Sequence, residues 1–514
     1  MAYSISRRDF LKGTAAGALT LAATGIFGGA VASAEEAKEK WVPEEELDCD
    51  LLVIGAGASG LAACVEAAEA GAKVICIESQ STPGGGAKGV EGIFAVGSQM
   101  QKAIGYETSM GALIRNELTS GQFRNNGVAY IDMVHQSGAN VDWLIAHGVS
   151  FGELFSGDRA NPDRSKIYHC YTSGAGAVDY VVPMVAAAEA AGVTFYYNTK
   201  GQSLIKNADG RVCGVYATDE NEKCIQINAS SVIMATGGFA ANKEMMSQFY
   251  ANLDDLKYMG FPGSDGSGNA MVLEAGGVSN VTNTAIQGTI CVKGLPSYFA
   301  NGVFSFMIGV IAPYAVWVND DAVRFVNEDF SMPNPMLSTI PGRAYKHAWI
   351  LMDQAQMDLY LTGKEEAGLK ELEDALASGE MFKAETVEGL ATAINLDPEK
   401  LGETIAHYNE ACEAGDDDYF GKDPQFLMPF ENGPFYAIHP TYEALVTCGS
   451  VKTNNRFQAV DKDNNAIEGL YVIGVEGTML WANTYTMEVA GSCNANNVNS
   501  GRRAAQYALA ELKA

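Results

Sequence analysis

Three glycines and one acid carry the first chemistry legible in this chain. Gly55, Gly57 and Gly60 form a G-x-G-x-x-G turn with Ala58 and Ser59 between them, and Glu78 follows Gly55 by 23 residues. That is close to the ~20 at which an acid meets a ribose hydroxyl. The first glycine permits a tight turn, the second lets backbone approach a pyrophosphate, and the third lets a helix pack against its strand. The helix N-terminus, with its free N–H groups and positive dipole end, then receives the anion. The competing interpretation, a glycine-rich loop in a cofactor-free α/β domain, does not explain an acid in register.

The neighbouring residues supply the elements that must hold this chemistry. Leu51-Leu52-Val53-Ile54 is an apolar run suited to a buried parallel strand. Leu61 to Ala70 is an alanine-rich helix ended by Gly71, and Lys73 to Ile77 is a second strand, so Asp48 to Glu78 predicts a βαβ unit. Gly84-Gly85-Gly86 makes a flexible loop after it. Gly210 to Val215 predicts a hairpin turn. Ser231 to Ala235 is a buried strand running into Thr236-Gly237-Gly238-Phe239, and Gly263 to Gly268 opens a helix through Met271 and Glu274. From about Thr284 aromatics and prolines increase. Glu385 to Cys412 predicts two amphipathic helices, the second started by Asp397-Pro398. Gly469 to Gly474 is a further strand, and a last helix starts near Asn494.

The first 34 residues read as an address. Ser6-Arg7-Arg8-Asp9-Phe10-Leu11-Lys12 fits the twin-arginine export consensus, and Ala32-Ser33-Ala34 fits a cleavage site. The expected location is extracytoplasmic, periplasm or cell surface, with no stable membrane insertion once the signal is removed. Residues 35–47 form a charged linker. The chain carries a net charge of −28, and loss of the signal's three basic and one acidic residues leaves about −30. Nucleic acid and anionic membrane would be repelled. Ten cysteines include no C-x-x-C pair, so haem attachment and cysteine-held iron–sulfur clusters are not expected. No metal site is expected either.

Seven segments taken together resemble the fumarate reductase/succinate dehydrogenase flavoprotein family. They are the GAGASG turn, the PGGG loop after Glu78, ATGGF at 235–239, SDGSGNAM at 264–271, Arg324-Phe325-Val326-Asn327-Glu328, Pro434-Phe435-Tyr436-Ala437 and GLYVIG at 469–474. The resemblance spans about residues 48–510. It implies an α/β fold: a doubly wound, Rossmann-like FAD domain in two parts, 48–283 and 447–514, with an α+β capping domain, 284–446. By the same resemblance Glu78, with Ser79 beside it, holds the adenosine ribose, and Gly55, Gly57, Ala58, Ser59 and Gly60 hold the pyrophosphate. Gly85, Gly86, Ala87 and Gly92 approach the flavin. Thr236, Gly237 and Asp265 complete the far side, and Gly474, Val475 and Ser492 contact the cofactor from the C-terminal part. FAD is expected to be non-covalent, because the glycine loop has no histidine to attach it. A second G-x-G-x-x-G for a nicotinamide nucleotide is absent, which implies an external electron-transfer protein or carrier.

In this family hydride and proton add to, or leave, the two ends of a C–C bond. The residues expected to bind a dicarboxylate are replaced here. The proton-donating arginine four residues after the R-F-x-N-E glutamate falls on Met332. The two substrate histidines fall on Thr289 and Val446, the clamping arginine near Glu488, and the proton-relay pair on Ile308 and Ile311. A glutamate at the clamp would repel a dicarboxylate, so fumarate is not the expected substrate. Thr289, Met332 and Val446 instead imply a neutral, partly apolar small molecule carrying an activated C=C bond, enone-type, aromatic-conjugated or steroid-like. Candidate acids are Tyr485, Glu488 and Tyr314, with Tyr442 and His439 behind them. Arg324 reads as architectural. The alternatives to a reductase are a dehydrogenase of a ketosteroid-like substrate and a non-enzymatic flavin electron carrier.

Overall fold

The apolar run at Leu51–Ile54 is the buried end of a longer strand, Glu45–Ile54. In the computed structural model, which describes residues 41–155, 166–292, 312–331, 344–362, 365–477, 480–486 and 488–513, this strand lies central in the main sheet. Its first residues correct the expected linker boundary. Glu45, Glu46 and Leu47 pair with Ile225, Gln226 and Ile227, because their carboxylates point outward while the backbone completes the ladder. The export signal lies outside the described residues.

Parallel strands run in the order Ala466–Val472, Cys224–Met234, Glu45–Ile54, Val74–Ile77 and Thr194–Tyr196. The central strand Glu45–Ile54 is flanked by later strands on both sides, so the chain winds outward in both directions, as in a doubly wound sheet. Register is the functionally important result. Ile54 is level with Ile77 and Met234, and Met234 with Val472. The residues that follow, Gly55, Glu78, Ala235 and Ile473, therefore stand in one row at the carboxyl edge. The helix Ala58–Glu69 and the C-terminal helix Ser492–Leu512 cover one face. They meet closely at Gly501, where a Cβ would lie 2.3 Å from the Ser59 carbonyl oxygen.

The hairpin expected around Gly210–Val215 is shifted. Its strands are Lys200–Lys206 and Val212–Thr218, so the turn ends before Val212. Gly214 lies inside the second strand, where a Cβ would sit 2.3 Å from the Ile227 oxygen. That glycine serves close strand approach rather than a turn.

A second, antiparallel sheet has the order Val316–Asn319, Ala348–Met352, Phe435–Ile438 and Met381–Ala384. The two helices expected at Glu385–Cys412 are Val387–Ala393, capped by Thr386, and Pro398–Ala414, capped by Asp397. A third sheet, Leu256–Tyr258, Pro440–Cys448 and Ala285–Val292, joins this cap to the main sheet. Arg324 is architectural, as its sequence context implies. Its guanidinium donates to both oxygens of Glu328 (2.9 and 2.8 Å) and both of Asp417 (3.0 and 2.7 Å), all buried. Lys422 lies 3.4 Å from Glu328 and donates to the Ala315 carbonyl oxygen. All ten cysteines are free thiols. Among the described residues no helix is long and apolar enough to cross a membrane.

Candidate active site

Steric demand explains the glycines at the carboxyl edge. Gly55, at φ +105°, has the Ala235 oxygen 2.4 Å from where its Cβ would be, and at Gly60 a Cβ would lie 1.9 Å from the Gly55 oxygen. Gly57 differs, since a Cβ there meets nothing within 4 Å. It heads the helix Ala58–Glu69 with no side chain capping it, so the first-turn N–H groups remain for an anion. Gly84 donates its N–H to the Ala56 oxygen at 2.8 Å, bringing the glycine loop alongside. Open space also surrounds the Cβ positions of Gly85 and Gly86, with Ala87 buried below them. Gly92 is a glycine for another reason: a Cβ would strike the His169 carbonyl oxygen at 2.3 Å.

Glu78 is held rigidly at the end of its strand. One oxygen accepts from the Ala56 N–H at 2.8 Å, and the other from the Gln80 N–H at 2.9 Å and the Ser79 hydroxyl at 3.3 Å. On the far side, Gly237 has φ +87°. Asp265 pairs with Lys200 at 2.7 Å and accepts from the Ser267 N–H at 2.9 Å in the turn that leads into the helix Ser267–Glu274. Gly474 donates to the Ser500 hydroxyl at 3.0 Å, Val475 accepts from the Gly449 N–H at 2.6 Å, and Ser492 is the buried first residue of the C-terminal helix.

Glu476 was not among the residues expected from sequence. Its Oε2 accepts from the Thr236 N–H (2.9 Å) and hydroxyl (2.6 Å), while Oε1 is buried with no partner. Burial pushes this carboxyl up to about 7, against the two Thr236 bonds. The available sequence signal was an acid two positions after a strand-end glycine. A glycine cradle with open space at its Cβ positions, an uncapped helix N-terminus and an orphaned carboxyl oxygen on one edge fit a dinucleotide carrying phosphates and hydroxyls.

The substrate positions are partly gathered. Val446 pairs with Gln287 and Thr289 with Glu443 across the joining sheet, either side of a bulge at Gln287/Gly288. Gly288 is required there, since a Cβ would lie 1.8 Å from the Glu443 oxygen. Glu443 is a fully buried acid that spacing did not reveal. Met332, Ile308 and Ile311 lie outside the described residues.

Tyr485 and Glu488 share the loop before the C-terminal helix. Tyr485 is buried against Trp481 (ring centroids 4.8 Å apart), and its hydroxyl accepts from the Cys493 N–H at 3.4 Å. Burial pushes this phenol well above its ordinary value. Glu488 accepts from the Ser120 hydroxyl at 3.1 Å. The loop is tied down by Glu117, a second residue missed from sequence. Its carboxylate accepts from the Val489 N–H, the Thr486 hydroxyl and, at 3.1 Å, the Tyr130 hydroxyl. Burial outweighs these donors and raises Glu117 to about 7.

Tyr314 stands apart on the cap turn Ala312–Tyr314, edge-on to Phe426. Tyr442 and His439, the lower-ranked candidates from sequence, lie apart from the loop acids. Tyr442 packs in the cap-side core near Tyr250, and His439 is held by Glu380 and Asp255. Both belong to the joining region, whose strand pairing turns them there.

Known proteins match this geometry. Residues 50–483 match the family described as FAD binding domain, and residues 4–24 match the twin-arginine translocation pathway signal. A vinyl phenol reductase of Lactiplantibacillus plantarum is 29% identical over 497 residues, covering 89% of this chain and 96% of that one. A fumarate reductase (cytochrome) of Shewanella frigidimarina is 26% identical, covering 89% of this chain and 76% of that one. The solved structure of a 3-ketosteroid Δ4-(5α)-dehydrogenase from Rhodococcus jostii superposes with a TM-score of 0.69 at 22% identity, covering 91% and 98%. The chain belongs to the FAD binding domain family and is a twin-arginine-exported, FAD-dependent oxidoreductase acting on CH–CH groups.

Proposed function

We propose that this enzyme reduces an activated C=C bond of a non-dicarboxylate, partly apolar small molecule, using electrons from an external protein or carrier. The observation that carries the reading is the loop before the C-terminal helix. By the family resemblance the cation that a dicarboxylate site needs falls near Glu488, and Glu117 anchors the same loop through Val489 and Thr486. An acid at that position disfavours an anionic substrate. Val446 adds an apolar position at the joining sheet. The likeness to a vinyl phenol reductase over nearly its whole length supports an alkene conjugated to an aromatic ring.

When bound, FAD supplies the hydride. The protein orients the alkene, excludes water and delivers one proton. Tyr485, Glu488 and Tyr314 are the proposed proton-handling residues. Glu488 suits the acid role best, because burial weakens the Tyr485 phenol as an acid and Tyr314 belongs to the cap. Tyr485 then orients the substrate or the loop. The proposed cofactor contacts are those of the carboxyl edge, Gly57 to Gly60, Glu78, Gly85, Gly86, Thr236 and Gly474, with Glu476 added.

A second reading has one observation in its favour. The fold likeness to a ketosteroid dehydrogenase makes the reverse reaction, desaturation of a ketosteroid-like substrate, the natural alternative. The test is anaerobic. The purified flavin is reduced and challenged with hydroxystyrenes, enones, urocanate-like acids and fumarate while its absorbance is followed. Rapid reoxidation by a neutral conjugated alkene and not by fumarate is expected. Fast reoxidation by fumarate overturns the substrate class, and bleaching of oxidised enzyme by a ketosteroid favours the dehydrogenase.

A further inference from the structure

We propose that Asp255, His347 and His439 form a zinc-type divalent-cation site at the seam between the cap sheet and the joining sheet, with Glu380 orienting His439. The three residues stand 92 positions apart in sequence, so no spacing motif announces them. Their ligand atoms nevertheless lie within 4.8 Å of one another. His439 Nε2 is 3.0 Å and His347 Nδ1 3.7 Å from the same oxygen, Asp255 Oδ2. Ligands bound tetrahedrally at ~2.0–2.1 Å stand roughly 3.3 Å apart, so both distances to Asp255 bracket the bound value, and a side-chain adjustment of the part-exposed His347 brings the two histidines to it.

The hydrogen bonds around His439 point the same way. Its Nδ1 meets Glu380 Oε2 at 2.8 Å. With Nδ1–H donating to that carboxylate, the Nε2 lone pair faces a carboxylate oxygen, and a positive centre must lie between them. A proton bridges two of these atoms, whereas a cation also engages His347, which at 3.7 Å is beyond hydrogen-bond reach. A carboxylate on the outer nitrogen of a metal-binding histidine is the usual arrangement, since it fixes the tautomer and raises ligand basicity. Asn252 Nδ2 donates to Asp255 Oδ2 at 2.9 Å, and the His347 N–H donates to Asp320 at 3.1 Å, holding two of the ligands in place. Asp255 and His439 are buried, while His347 is 37% exposed on its side chain. That leaves a path for the ion and room for water as a fourth ligand.

The location gives the ion a task. Asp255 ends a turn leading into the joining strand Leu256–Tyr258, and His347 precedes the cap strand Ala348–Met352. His439 is the single residue between the cap strand Phe435–Ile438 and the joining strand Pro440–Cys448. One cation would pin cap and joining sheets together, independently of which alkene the enzyme reduces.

The FAD-loaded protein, stripped with a chelator and titrated with zinc sulfate, tests this by calorimetry, elemental analysis and thermal unfolding. One zinc per chain and a raised unfolding midpoint are expected. His347→Ala and His439→Gln should weaken binding at least a hundredfold, and Glu380→Gln about tenfold with stoichiometry kept. If His439→Gln does not fold, the part-exposed His347→Ala decides, with retained flavin absorbance reporting that the chain is intact. Absence of stoichiometric zinc in the native protein overturns the proposal. So does zinc binding that His347→Ala leaves unchanged, because the ion then sits elsewhere.

Discussion

The carboxyl edge of the main sheet differs in construction from the cap and the loop before the C-terminal helix. At the edge, geometry follows from glycines whose missing Cβ atoms make room for backbone, as at Gly55 against Ala235 and Gly60 against Gly55. In the cap and in the loop before the C-terminal helix, geometry follows from buried ionisable groups joined across long stretches of chain. Arg324 reaches Asp417 over 93 residues, and Glu117 reaches Val489 over 372. A steric rule depends on residue type alone, while a charge network depends on which distant partners arrive. The first can carry one cofactor through many substrates, and the second can change with the substrate.

Gly60→Val should have the largest effect, because the new side chain collides with backbone 1.9 Å away and cannot move it cheaply. Loss of the flavin absorbance from purified protein is expected, with circular dichroism separating lost cofactor from lost fold. A variant that keeps its flavin would break the steric half of the contrast. Arg324→Met leaves Glu328 and Asp417 buried without their main cation, so urea unfolding should show a loss of about 3–5 kcal/mol. A loss below about 1 kcal/mol would mean that the cap is held by its apolar core instead.

Glu117 makes a pH prediction. Its folded value near 7 lies above the ordinary 4.5, so the folded state holds the proton more tightly. The associated stability is present below about 4.5 and lost as pH rises through 7, on the order of 3 kcal/mol in all. Urea unfolding at pH 5 and pH 8 should therefore differ less in Glu117→Gln than in the native chain. An equal difference in both would assign the slope to other groups, Glu476 first. Glu78→Gln should be the mildest, weakening FAD by roughly ten- to a hundredfold, the value of a hydrogen bond to a charged group. Flavin titration of the apoprotein measures it, and unchanged affinity would remove Glu78 from the ribose.

Much of the edge was legible before any coordinates. Strand, turn, helix and acid between Asp48 and Glu78 are neighbours in sequence, so periodicity and spacing describe them directly. The errors were local and physical. Gly214 looked like a turn residue because close strand approach demands the same residue type, and charged Glu45 and Glu46 looked like linker although an outward-facing strand tolerates them. Tyr442 and His439, ranked below Tyr485 and Glu488 from residue type, belong to the joining region, where long-range strand pairing sets their neighbours.

The sequence by itself determined the export signal and the dinucleotide turn, because each is a matter of residue type at short range. Only the tertiary structure decided which carboxyls lie in the interior and what they meet. Glu476 finds Thr236 across 240 residues, Glu117 finds the Thr486–Val489 loop, and Asp255 finds two histidines. A carboxyl's chemistry is set by its desolvation and its donors, and in this fold both are supplied by segments far away along the chain.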